Sequence, residues 1–402
     1  MKNMDRRLVT ILLIVFVQMV GASMILPIIP LYAKNEFGMS PSSITLLGTG
    51  FFAAQFIAGP YLGRLSDKIG RVPVLIVSQT GTVISFIMLA FAATPLMLFS
   101  ARILDGITGG NIIVAQAYIT DITDPKDRTK ALGYIFAVFG LGFAIGPAIG
   151  GAIASAGIRL PYIAAAIAAS IVVLISWRAL DESLTAEERA GRNAKREKLQ
   201  VSAILGSKLL VASLTVGFVS SFGMGMIIST FSLLAEVFWL KNLDASALAL
   251  GVGGLLTIFG LGVFISQFKG LKWLLARMPE GKVILIGTFV RGVGNLVSVS
   301  TPSLLIAAPA MAVMSLGSGV VVAPAQSIAT TALPDQFRGG VLGVFQSTTS
   351  LGLIFSTALG GRLFEIDPRL PFGLAGVIAL FNMLPAYAMH RMAQAAALVA
   401  VE

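Results

Sequence analysis

Apolar runs of about 20 residues recur along this chain, divided by short charged turns, and that rhythm leaves few folds open. Twelve such runs fall near residues 8–32, 43–63, 73–92, 96–120, 131–155, 160–180, 209–235, 246–268, 282–300, 303–331, 340–364 and 370–391. Each is long enough to cross a bilayer as a helix, whereas strands of a membrane barrel would alternate over about ten residues. The chain is 56% hydrophobic and only 12% charged, against about 25% charged in soluble domains. One soluble core could not cover that much apolar surface. In lipid the backbone must satisfy its own polar groups, and a helix does so. The expectation is an all-α membrane protein with 12 transmembrane helices. The first run is too long for a signal peptide and leads straight into further spans.

Basic residues orient the spans. With both termini in the cytoplasm, the inner side collects Lys2, Arg6, Arg7, Arg64, Lys68, Arg71, Lys126, Arg128, Lys130, Arg178, Lys208, Lys269, Lys272, Arg277, Lys282, Arg338 and Arg391. Lys34, Arg159, Lys241, Arg362 and Arg369 fall outside, and Arg102 and Arg291 lie within spans. The longest polar stretch, Asp181 to Gln200, reads as a solvated linker. It divides the chain into a bundle at 1–180, a cytoplasmic linker at 181–203 and a second bundle at 204–402. An internal repeat supports the division. Gly109, Gln116, Arg128, Gly142 and Gly150 recur 210 residues later as Gly319, Gln326, Arg338, Gly352 and Gly360.

Several functions are excluded at this level. The net charge of +10 is dispersed over many short loops, so no nucleic-acid partner is expected. Without cysteine there is no disulfide, thiol catalysis or cysteine metal site. The single histidine, His390, reads as a helix-end residue at the membrane surface. No nucleophile–base set or metal cluster stands outside the spans, so no enzyme, metal or cofactor is expected.

Three constellations carry the chemistry. The first is the charged turn Gly63-Arg-Leu-Ser-Asp67-Lys-Ile-Gly70-Arg71 between the second and third spans. Its glycines allow close helix approach and a sharp exit, and Asp67 can accept hydrogen bonds from a helix N-terminus or pair with a neighbouring cation. The matching stretch around 274–282 keeps Gly281 and Lys282 but has Met278 near the place of the acid. The second is Arg102-Ile-Leu-Asp105-Gly106-Ile-Thr-Gly109 in the fourth span. Arg102 and Asp105 are three apart and share a helix face, and a charged pair at that depth is a functional candidate. The third is Gly142-Phe-Ala-Ile-Gly146-Pro147-Ala-Ile-Gly150-Gly151 in the fifth span. It lines one face with small residues, and Pro147 bends the helix. Other polar residues inside or at the ends of spans are Gln18, Gln55, Asn111, Gln116, Glu236, Arg291 and Gln326, all candidates to face a substrate cavity. Arg291 either pairs with an acid or gives the cavity a positive spot suited to an anionic or zwitterionic substrate. Phe218, Phe222, Met224 and Met226 could add an adaptable apolar surface.

These motifs resemble those of the major facilitator superfamily of secondary transporters. The G-x-L-x-D-x-x-G-R turn looks like its signature loop, which latches the two halves on the cytoplasmic side. The R-x-x-x-G-x-x-G pattern at Arg102 resembles the fourth-helix motif associated with proton coupling, in which many relatives carry an amide where this chain has Asp105. The glycine pattern at 142–151 resembles the antiporter motif of drug exporters. Gln18 to Pro30, with Ala117 to Thr123, looks like the twelve-helix branch that includes tetracycline exporters. Those place an aspartate where Gln18 stands. The resemblance implies two pseudo-symmetric six-helix bundles working by alternating access. It implies proton-coupled efflux of amphipathic drug-like molecules by a functional monomer in the cell (inner or plasma) membrane, powered by the proton gradient and without a cofactor. Asp105 and Arg102 would carry the coupling. A symporter or facilitator for sugars, organic acids or siderophores shares the fold, as does a lipid or glycolipid translocase. A transport-dead sensor would need none of these residues.

Overall fold

The computed structural model describes residues 5–109, 111–124, 128–183, 201–334 and 337–399. Among them there is no strand. Twelve helical segments are long and apolar enough to span a membrane. They are α1 Arg6–Ile25, α2 Pro41–Ile69, α3 Arg71–Ala90, α4 Pro95–Ile122, α5 Gly133–Ala154 and α6 Leu160–Ala179. The remaining six are α7 Lys208–Trp239, α8 Ala245–Leu275, α9 Glu280–Ser300, α10 Leu304–Thr330, α11 Gly339–Ile366 and α12 Leu370–Ala395. Most of the expected linker, 184–200, lies outside the described residues, as do Lys126 and the side chains of Arg128, Lys130 and Arg338.

Local chemistry sets the ends. Ser40-Pro41 and Thr94-Pro95 each place a hydroxyl at the N-cap and proline at the first helical position. Their side chains accept from the amides of Ser43 and Met97 at 3.3 Å. A 10-residue helix, Ile28–Phe37, follows α1 after a break at Leu26–Pro27. Large apolar side chains stay exposed on the outward faces, among them Leu305, Ile366, Leu96 and Trp177. In water that surface would be untenable; in hydrocarbon it is the required one.

The charged turn is the first correction. Residues 63–69 are not a loop: α2 stays helical to Ile69, and Gly70 alone makes the turn into α3. Its φ of 114° is closed to other residues, so the hairpin depends on this glycine. Gly63 has no such role, since a Cβ there would meet only Ile113 at 3.9 Å.

By internal contacts the chain forms two compact units, Met1–Arg196 with Leu240–Thr257, and Glu197–Trp239 with Ile258–Glu402. The same helix pairings recur within each. In the first unit α1 packs on α5 and α6, and α3 on α4 and α6; in the second α7 packs on α11 and α12, and α9 on α10 and α12. The repeat also fixes two helix interruptions: α4 breaks at Gly109 and α10 just after Gly319, positions 210 apart.

The α1–α5 seam shows what the glycine pattern does. A Cβ at Gly142 would lie 2.6 Å from Cβ of Met19, one at Gly146 would collide with the Ser23 hydroxyl, and one at Gly150 with the Met24 carbonyl. Ser23 cannot swing aside freely, because its hydroxyl donates to the carbonyls of Met19 at 2.7 Å and Gly142 at 2.9 Å. In the second unit the partners are exchanged: Gly225 of α7 opposes Ser356 of α11. Gly146→Ser alone is therefore expected to destabilise the protein by about 1–3 kcal/mol through overpacking. Adding Ser23→Gly, which reproduces the second unit's arrangement, should restore most of that loss. Thermal unfolding of the three variants checks this; no recovery in the double variant would show that the seam is not a matter of small-residue fit.

Candidate functional site

The fourth and second helices build the site in the first unit. Gly106 lets α4 approach α2 so closely that any Cβ there would strike the Phe51 carbonyl, with Ala54 2.8 Å away. Arg102 and Asp105, one turn apart on α4, then face the same interior space. Arg102 Nη1 donates to Asp105 Oδ2 at 3.0 Å, and both residues are buried. The Phe51 ring lies 4.2 Å beneath the guanidinium carbon, a cation–π contact on its other face. Thr82 of α3 lines the same cavity as Asp105. The pair is therefore charge-balanced and held between α4 and α2.

Around Asp105 lies a cavity of about 70 Å³, lined by Gln18, Met19, Gly21, Phe51, Gln55 and Thr82 among others. That volume suits two water molecules at roughly 30 Å³ each, not a drug-sized molecule at roughly 300 Å³ or more. Gln55 Nε2 donates to the Gly109 carbonyl at 3.2 Å, which ties α2 to the break in α4. A larger groove of about 410 Å³ runs along Ile87, Phe91, Ile163, Ile167 and Leu174. It carries no titratable group and faces lipid by composition, so it is not the chemical site.

The sequence candidates thus separate. Gln18, Gln55 and Asp105 share one cavity, with Arg102 paired to the last. Gln116 is half-buried farther along α4, and the side chain of Asn111 lies outside the described ones. A Cβ at Gly151 would lie 2.6 Å from the Ala249 carbonyl, still within the first unit. Pro147 is buried in α5. Glu236, Arg291 and Gln326 belong to the second unit. Glu236 sits in a π-helical turn, Ala235–Trp239, that ends α7, and Gln326 is half-buried on α10. Phe218 and Phe222 stack at 6.0 Å. His390 departs from expectation: it is buried and packs against Gly281, where a Cβ would lie 2.5 Å from Nδ1.

The signature turn is a second charged centre. Arg71 is buried, and its guanidinium meets Asp67 Oδ1 at 2.7 Å, Asp121 Oδ2 at 3.0 Å and Ser66 Oγ at 2.6 Å. Asp67 is therefore an ion-pair partner, and the N-terminus of α3 is capped by another acid. Glu182 accepts from the amides of Arg71 at 2.8 Å and Val72 at 3.2 Å. Ser183 donates to Asp121 at 3.1 Å, and the Tyr118 hydroxyl to the Asp181 carbonyl at 2.8 Å. The start of the linker is thus bonded to the tips of α3 and α4. Spacing along the chain did not reveal Thr82, Phe51, Asp121 or Glu182. Gln79 was also missed, a fully buried amide on α3 with neither polar atom bonded.

Comparison with known proteins points one way. Residues 11–260 and 216–397 match the family model described as Major Facilitator Superfamily. The chain is 29% identical over 379 residues to Multidrug resistance protein 2 of Bacillus subtilis (strain 168), covering 92% of this chain and 91% of that one. It is 28% identical to Tetracycline resistance protein, class H, of Pasteurella multocida, covering 90% of each. Among solved structures, the nucleoside transporter NupG superposes with a TM-score of 0.75 at 14% identity, covering 97% and 99%. A bacterial homologue of the human lysosomal transporter Spinster, inward-facing and occupied, gives 0.75 at 17%, covering 97% and 98%.

Proposed function

This chain belongs to the Major Facilitator Superfamily of membrane transporters, and from that premise we propose that it exports amphipathic drug-like molecules in exchange for protons. The relatives named for multidrug and tetracycline resistance support export over uptake. The observation that carries the proton coupling is the Arg102–Asp105 pair beside an amide-lined cavity. With Asp105 ionised the pair sums to zero. A proton on Asp105 removes the countercharge of Arg102 and leaves the guanidinium on the Phe51 face, so the cavity gains one positive charge. Proton and substrate occupancy are thereby coupled through the charge of the cavity, which proton-driven exchange requires. Alternating access of the two halves turns that exchange into transport.

In this reading the proton gradient is the energy source and no cofactor takes part. The protein works as a monomer in the cell (inner or plasma) membrane with both termini in the cytoplasm, as the distribution of Lys and Arg favours. The cytoplasmic latch between halves stays an implication of the signature sequence.

The test is transport in proteoliposomes across a panel of amphipathic compounds, with an imposed pH gradient and with an uncoupler. Gradient-driven movement that the uncoupler collapses is the expected result. Movement indifferent to the gradient would favour a facilitator, and movement of sugars or organic acids down the proton gradient a symporter.

A further inference from the structure

Arg291 lies eleven residues into the 21-residue α9, about 17 Å of rise from its start, so it sits near mid-membrane. It is 4% exposed. Its Nη2 donates to the Ser220 carbonyl of α7 at 2.8 Å. Gly223 clears the room: a Cβ there would lie 2.9 Å from Nη2. Asn382 of α12 reaches the same stretch, donating to the Val216 carbonyl at 3.3 Å and to Ser220 Oγ at 3.2 Å. The bonding is incomplete. The Nε–H of Arg291 has no acceptor, and the Thr288 hydroxyl, one turn before it on α9, has no partner.

The charge is incomplete as well. Among the described residues no carboxylate pairs with Arg291. Glu236, on the same α7, stands sixteen residues beyond Ser220, about 24 Å of helix rise away. Arg102, the other arginine deep in a span, carries its own counterion 3.0 Å away. A permanent charge at bilayer depth without compensation is costly and marks a functional position. The first unit offers no opposite demand: its cavity presents neutral Gln18 and Gln55, and a carboxylate already paired with Arg102. An organic cation would find no uncommitted negative charge there.

We propose, resting on the export reading, that the transported compounds are amphipathic organic acids, and that Arg291 supplies the positive charge answered by their carboxylate. A spare guanidinium N–H and a spare hydroxyl are donors that suit an oxyanion.

Three fluorescent probes on one scaffold test this in proteoliposomes with a pH gradient: pyrenebutyric acid, its uncharged primary amide and pyrenebutylamine, each corrected for empty vesicles. The acid is expected to move at least 10-fold faster than the amine. Arg291→Gln should slow the acid at least 10-fold and the amide less than twofold, and Arg291→Lys should keep a measurable part of the acid rate. If Arg291→Gln does not give a monodisperse chromatographic profile, Thr288→Val replaces it, with a loss of about threefold for the acid alone. An amine moved as fast as the acid overturns the substrate class while leaving export intact. Equal slowing of acid and amide reduces Arg291 to packing. No gradient-driven movement of any probe sinks the export reading, and this proposal with it.

Discussion

Replacing Asp105 by asparagine is expected to abolish proton-driven transport while leaving substrate binding in place. The amide keeps the shape and an oxygen that can still accept from Arg102 Nη1, now 3.0 Å from the carboxylate. It cannot take up or release a proton. Substrate-linked proton movement, followed by a trapped pH indicator, should fall at least 10-fold, to the level the wild type shows with an uncoupler. Affinity should match that of the wild type at a pH low enough to protonate Asp105. The variant also strands the Arg102 charge, and breaking a buried pair costs on the order of 3–5 kcal/mol. The neutral double variant Arg102→Gln with Asp105→Asn separates the two effects. It removes both charges, so it should recover stability without recovering coupling. Normal proton exchange in Asp105→Asn would move the coupling site elsewhere, and a double variant with restored coupling would reduce the pair to a packing device.

The sequence made the membrane class and the Arg102–Asp105 pair legible, and the reasons are physical. Apolar length is read directly against bilayer thickness, and a separation of three residues puts two side chains on one helix face whatever the tertiary structure. The α5 glycines were legible as a packing face, and two of them recur 210 residues later as Gly352 and Gly360. What stayed hidden was contact between segments far apart in the chain. Arg71 meets Asp121 across 50 residues and Glu182 across 111, and no periodicity encodes such pairings. Charge density made 63–71 look like a loop, yet every residue before Gly70 tolerates a helix, and one with water at its end bears charges well. His390 looked like a surface residue because it is polar and near the C-terminus, but Gly281 leaves it a slot to fill.

Arg71 is where loss of one side chain should cost stability most. Its guanidinium bonds three groups, and the side chain of Asp121 is only 2% exposed. Arg71→Gln would take the guanidinium away from that buried carboxylate, and from Asp67 with it. Breaking a buried ion pair costs about 3–5 kcal/mol, which in a unit of this size lowers the unfolding temperature by roughly 10 °C. Glu182→Gln should be milder, about 1–2 kcal/mol, because the Arg71 and Val72 amides bond different carboxylate oxygens, so one keeps its acceptor while the other loses it, together with the charge at the start of α3. Adding Asp121→Asn to Arg71→Gln removes the buried charge that lost its guanidinium, so the double variant should be more stable than Arg71→Gln alone. Thermal unfolding in detergent reads all three. If Arg71→Gln unfolds with the wild type, the network is a solvated surface cluster despite its geometry. If it unfolds early and Asp121→Asn brings no recovery, the loss comes from the Asp67 and Ser66 contacts, and the bond from α3 to the end of α4 contributes little.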